Sequence, residues 1–128
     1  MPRFAILEHD WPSRHWDLFL EAEGVLKAWR LLAEPRPGLT VPAELAADHR
    51  LLYLDYEGEV QGGRGTVKRW DAGTFCGEPC GEAWEVAICG LRLNGLLRYM
   101  NDAITVSGLE VQLSDLTSIS PPRATCHR

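Results

Sequence analysis

The sequence predicts a mainly β domain, a barrel or a sandwich of about eight or nine short strands. Three observations carry that expectation. Apolar and polar residues alternate in short runs instead of recurring at helical spacing, as in His15-Trp16-Asp17-Leu18. Twelve glycines and eight prolines break the chain at short intervals, and five tryptophans favour strands over a helical bundle. The 128 residues, 45% of them apolar and 24% charged, are enough for one core that needs no metal or disulfide to form.

Taken in order, Phe4 to His9 reads as a strand that turns through Pro12 into a second strand, Arg14 to Ala22. Glu23-Gly24 is a hairpin turn, and Val25 to Leu32 alternates as a third strand. Three prolines and a glycine make residues 33–44 a loop, and Pro42 to Ala47 suits either one helical turn or extended chain. The stretch Asp48 to Gly58 mixes aromatics and carboxylates without a clean period. Gly62-Gly63-Arg64-Gly65 is expected to turn into a strand from Thr66 to Trp70, and Asp71-Ala72-Gly73 to turn again. Ala83 to Cys89, Leu96 to Met100, Ile104 to Val106 and Leu109 to Leu113 are further strands, followed by an irregular tail from about residue 118. Trp16, Trp29, Trp70 and Trp84 read as core residues.

The stretch richest in chemistry is His9 to Asp17, with the spacing His-x5-His-x-Asp. Residues two apart on a strand share a face, so His15 and Asp17 project together while Trp16, Leu18 and Leu20 cover the other side. If His9 ends the preceding strand and the Pro12 turn reverses the chain, the three groups converge as a metal site of mixed nitrogen and oxygen ligands. Glu21 lies on the same face, either orienting a ligand or exposed at the surface.

A net charge of −5 argues against avid binding along duplex nucleic acid, although a compact pocket can still grip one terminal phosphate. No apolar run is long enough to span a bilayer and no secretion signal opens the chain, so a cytoplasmic protein without membrane contact is expected. In that compartment Cys76, Cys80, Cys89 and Cys126 are expected as free thiols; a structural zinc site drawing on Cys76 and Cys80 is the alternative.

The motifs resemble one known family. Phe4-Ala5-Ile6-Leu7-Glu8-His9-Asp10, His15-Trp16-Asp17-Leu18-Phe19-Leu20-Glu21 and Gly24-Val25-Leu26-Lys27-Ala28-Trp29 occur in the order found in the 3'-phosphoesterase domain of bacterial ligase D. Asp48-His49, Tyr53, Asp55-Tyr56-Glu57-Gly58, Gly65-Thr66-Val67 and Trp70-Asp71-Ala72-Gly73-Thr74 continue it, with a fainter echo in Gly90-Leu91-Arg92-Leu93-Asn94-Gly95. The resemblance implies one domain over residues 1–128, a compact closed barrel of eight strands with short flanking helices. It also implies a manganese-dependent site, with zinc or another divalent ion as substitutes, that removes a terminal ribonucleoside and then a 3'-phosphate. On that resemblance His9, His15 and Asp17 match the metal ligands. His49 matches a histidine at the scissile phosphate, and Tyr53 a tyrosine at the same phosphate.

The chain departs from the family where cations are expected: Phe19 stands for an arginine, Ala33 for a lysine and Val41 for an arginine, and Leu7 replaces a glutamine. Each lost cation removes a charge-assisted hydrogen bond to a phosphate oxygen. The implied function is therefore a phosphoesterase acting on nucleic-acid 3' ends in DNA repair, as a monomer beside a repair ligase or polymerase. A noncatalytic metal-containing binding module and a hydrolase of a small phosphorylated molecule are the alternatives.

Overall fold

In a computed structural model describing residues 1–108, nine antiparallel strands form one sheet. They are β1 (Arg3–His9), β2 (His15–Ala22), β3 (Val25–Leu31), β4 (Thr40–His49), β5 (Gly58–Glu59), β6 (Thr66–Cys76), β7 (Trp84–Gly90), β8 (Asn94–Met100) and β9 (Ala103–Gly108). The order is β1-β2-β3-β4-β9-β8-β7-β6-β5, and β1 also pairs with β6, so eight strands close into a ring with β5 attached to β6. Among the described residues, the expected flanking helices reduce to a single 3-10 turn, Leu51–Leu54. The expected strand from Leu109 to Leu113 and the tail from residue 118 lie outside the described residues.

The period-two pattern sorts the side chains into two layers. Phe4 and Ile6 of β1 and Leu18 and Leu20 of β2 point inward, where they meet Trp29, Leu31, Val86, Leu97 and Ile104 from around the ring. The intervening residues, Ala5, Leu7 and Phe19, face outward and join Leu26 and Ala28 in a second apolar layer on the outer surface. That layer is covered by the segment carrying Tyr53, Leu54 and Tyr56.

Ionic ties hold this cover down. Asp55 pairs with Arg3 of β1 at 2.6 Å and Arg69 of β6 at 3.3 Å, while Glu57 accepts the Arg69 backbone N–H at 3.0 Å. The Arg3 hydrogen bond holds the Asp55 carboxyl below the usual carboxylate range. The aperiodic Asp48 to Gly58 stretch is thus a strand end, a 3-10 turn and a clasp, which no single period could have described.

Two local expectations change. Pro42 to Ala47 is extended, inside β4. Asp71-Ala72-Gly73 is no turn: β6 runs through it, with a register shift opposite Ile6 and Leu7 that leaves Trp70 as the extra residue. Trp16, Trp29 and Trp84 are buried as expected, whereas Trp70 only packs against the core and donates its indole N–H to Glu34 at 2.9 Å.

Asp71 has another task. Its carboxylate, 1% exposed, accepts the backbone N–H groups of Ala72, Leu91, Arg92 and Leu93 at 2.8–3.0 Å. It therefore pins the β7–β8 connection to β6. Gly90 has to be glycine there, because a Cβ would lie 2.5 Å from Asp71 Oδ2 and 2.7 Å from Phe4 Cζ. Replacing Asp71 by alanine strands these donors, each unsatisfied buried group costing about 1–3 kcal/mol. Asp71→Ala is expected to lower the melting temperature by about 10 °C or more, with Asp71→Asn in between, as read by thermal denaturation.

Candidate metal centre on the outer face

The outward face of β1 and β2 gathers the chemistry. Their register pairs His9 with His15 and Leu7 with Asp17, and directly opposed residues share a face. The His9 and His15 rings meet edge to face with centroids 4.8 Å apart. One ligand atom from each of His9, His15 and Asp17 lies within 4.8 Å of the other two; among the described residues these three alone form a group suited to a metal ion. The Pro12 turn does reverse the chain: residues 10–14 connect the strands through a cis Trp11–Pro12 bond.

Backbone carbonyls set the tautomers of both imidazoles. His15 Nδ1 lies 2.8 Å from the Ser13 carbonyl and His9 Nε2 lies 2.7 Å from the Arg64 carbonyl. A carbonyl only accepts, so each of these nitrogens carries the proton. In the neutral rings, His15 Nε2 and His9 Nδ1 are left as lone pairs. These face the Asp17 carboxylate at 3.3 Å and 3.6 Å. His15 Nε2 is buried without a hydrogen-bond partner, on a residue only 2% exposed. Acceptors facing acceptors repel one another unless a cation or added protons lie between them. Two imidazoles and a carboxylate, each imidazole braced by a carbonyl on its far nitrogen, suit a divalent ion of the Mn²⁺ or Zn²⁺ type.

The brace on His9 has its own support, which the sequence reading did not identify. Asp10 accepts the Thr66 N–H at 2.8 Å and hydroxyl at 3.0 Å, bonds that hold its carboxyl below the usual range. They tie the β1 end to the start of β6 beside Arg64. Gly65 sits at φ +76°, and a Cβ there would lie 2.1 Å from Asp10 Oδ1. The Gly62-Gly63-Arg64-Gly65 turn thus delivers the Arg64 carbonyl to His9. The clue in the sequence was its glycine at the last position of the turn, three residues after another.

His49 and Tyr53 form a neighbouring group. His49 ends β4 with its ring 4.9 Å from Phe19 and 5.6 Å from Tyr53. Phe19 is two residues past Asp17 on the same face, about 7 Å along the strand. His49 donates Nδ1–H to the Ala47 carbonyl at 2.8 Å, so Nε2 is its uncommitted nitrogen. Tyr56 continues the row, 5.7 Å from Tyr53.

Of the three replaced cation positions, Phe19 alone faces this site. Val41 lies in the inner core and Ala33 packs against that core. Glu21 accepts the Arg3 backbone N–H at 3.0 Å. Cys76 and Cys89 are free and exposed, and no cysteine joins a metal-type group among the described residues. Cys80 is disulfide-bonded, contrary to the free thiol expected.

Fold and site together define a closed antiparallel ring with a His-His-Asp centre on its outer face. Residues 7–107 match the family model described as the DNA ligase D 3'-phosphoesterase domain, and the chain belongs to that family. It is 37% identical over 78 residues to the multifunctional non-homologous end joining protein LigD of Pseudomonas aeruginosa, a match covering 57% of this chain and 9% of that protein. With the LigD repair protein of Mycobacterium tuberculosis it shares 39% identity over 80 residues, covering 56% of this chain and 10% of the relative. The chain thus matches about a tenth of the length of each relative. Among the described residues no helix is long and apolar enough to cross a membrane.

His15→Ala and Asp17→Ala should each abolish stoichiometric Mn²⁺ uptake in calorimetric titration. Gly65→Ala, which disturbs the Asp10 brace on His9 and crowds Trp11 while leaving the three ligands in place, should weaken it by about 10- to 100-fold.

Proposed function

We propose that this chain is a divalent-metal-dependent phosphoesterase that processes 3' ends of nucleic acid, with Mn²⁺ as its preferred ion. The observation that carries the proposal is the convergence of His9 Nδ1, His15 Nε2 and Asp17, with both imidazole tautomers set by backbone carbonyls. Membership of the phosphoesterase family supplies the reaction class. The names of the relatives, which place those proteins in end joining and DNA repair, supply the repair context. In this reading the protein works as a cytoplasmic monomer beside a repair ligase or polymerase.

A divalent ion at this centre supplies Lewis acidity toward a phosphate oxygen and lowers the pKa of a bound water. The chain's own groups do the rest. His9, His15 and Asp17 orient their lone pairs on one point. His49 keeps Nδ1 on the Ala47 carbonyl and leaves Nε2 uncommitted; in the imidazolium form it donates to a phosphate oxygen or protonates the leaving oxygen. The Tyr53 hydroxyl, which has no hydrogen-bond partner among the described residues, donates to a nonbridging oxygen.

A second reading, a metal-containing module that binds phosphate without cleaving it, draws on Phe19, a buried apolar ring beside the triad at the family's arginine position. The net charge of −5 favours a third, hydrolysis of a small phosphorylated molecule. A Mn²⁺-dependent assay on primer-templates ending in a 3'-ribonucleotide or a 3'-phosphate separates them, with His9→Ala as control. Trimming that requires Mn²⁺ and His9 is the expected result. Protein that takes up Mn²⁺ yet leaves both ends intact while cleaving a small phosphate ester supports the third reading, and cleavage of neither supports the second. Mn²⁺ at 100 times its dissociation constant should also stabilise the fold by about 2.7 kcal/mol, seen as a raised melting temperature that chelator reverses.

A further inference from the structure

Arg30 stands beside the triad without a hydrogen bond or ion pair to any described residue. In the β2–β3 register Asp17 is directly opposite Arg30, and opposed residues project from the same face. The layering agrees, since Leu26 and Ala28 of β3 belong to the outer apolar layer and Trp29 and Leu31 to the inner core. Arg30 therefore shares the outer face with His9, His15 and Asp17, one strand spacing of about 4.8 Å from Asp17. That gap is far shorter than an arginine side chain.

Arg30 is half-buried and forms no hydrogen bond or ion pair with a described residue, although Asp17 is its neighbour on one side and Glu44 on the other. Other arginines near β1 and β2 are committed. Arg14 binds Glu8, Arg64 donates to the Gln61 carbonyl, and Arg3 and Arg69 bind Asp55. Phe19, packed under His49 and 1% exposed, brings no charge.

We propose that Arg30 is the phosphate-gripping cation of this site, a specificity-determining residue contributed by β3. The proposal rests on the metal-dependent phosphoesterase reading and adds the group that recognises a terminal phosphate. The planar guanidinium offers two parallel N–H donors that match two phosphate oxygens, which a lysine ammonium does not reproduce. Asp17 thus lies between the two histidines and Arg30, with the ion's ligands on one side and the donor for the phosphate on the other. A dianionic 3'-phosphate end should gain more from this contact than a 3'-hydroxyl end, which lacks the terminal phosphate.

The test compares affinities instead of turnover. Mn²⁺-loaded protein is titrated at fixed salt with a short oligonucleotide ending in a 3'-phosphate and with its 3'-hydroxyl counterpart. Mn²⁺ alone is titrated in parallel, and melting curves are recorded. Wild-type protein should prefer the 3'-phosphate. Arg30→Ala should lose that preference by about tenfold or more while keeping its Mn²⁺ affinity and melting temperature, and Arg30→Lys should recover part of it. An Arg30→Ala variant that discriminates as well as wild type overturns the role of Arg30 and leaves the metal reading intact. Parallel loss of Mn²⁺ affinity overturns it too, by making Arg30 part of the metal site's architecture. Wild-type protein that binds Mn²⁺ without preferring the 3'-phosphate removes the proposal alone; wild-type protein that binds no Mn²⁺ removes the phosphoesterase reading and the proposal with it.

Discussion

β1 is hydrogen-bonded along both of its edges, to β2 on one side and β6 on the other, and the ring closes there. A sheet closed in this way has no free edge at the seam and encloses its inner side chains in one core. The same double pairing carries the site. The last residue of β1, His9, is opposed by His15 on β2 and Val67 on β6, so its ring can meet a second ligand while its other nitrogen reaches the loop preceding β6. A register slip of one residue between β1 and β2 would put His9 on the opposite face from His15 and Asp17.

The centre is an arrangement of acceptors. Carboxylate oxygens and imidazole lone pairs approach within 3.3–3.6 Å, and the protein holds them there with groups that are not ligands. The Ser13 and Arg64 carbonyls fix which nitrogen of each ring is free, and Asp10, Thr66 and Gly65 fix where the Arg64 carbonyl lies. Such outer supports govern a metal centre as much as its ligands do, because they decide ring orientation and basicity. Asp71 illustrates the same economy in a structural setting: a buried carboxylate is tolerable when backbone N–H groups saturate it.

Beside the triad the outer face is apolar and aromatic. Phe19, His49, Tyr53 and Tyr56 form a continuous row anchored through Asp55 and Glu57 to β1 and β6. The face that gathers the ligand lone pairs therefore also has a greasy wall, with its polar functions limited to one imidazole nitrogen and phenolic hydroxyls. On the β3 side of this face, Arg30 stands opposite Asp17 in the strand register.

Much was legible in the residues themselves. The alternation in Phe4 to His9 and His15 to Leu20 placed both strands and their two faces, since side-chain direction in a strand depends only on parity along the chain. The motif order pointed to the family, which the match over residues 7–107 established. What failed in the sequence reading failed for physical reasons. Asp71-Ala72-Gly73 carries turn-forming residue types, but its carboxylate serves N–H groups twenty and more residues away, so a strand runs where a turn was expected. Local order in the chain thus determined the strands, their faces and the candidate ligands. Tertiary structure decided which carbonyl braces which histidine, that Arg30 stands opposite Asp17, and that Phe19 lies under His49. Those relations depend on register between separate strands, which hydrogen bonding across the closed ring sets and no single segment encodes.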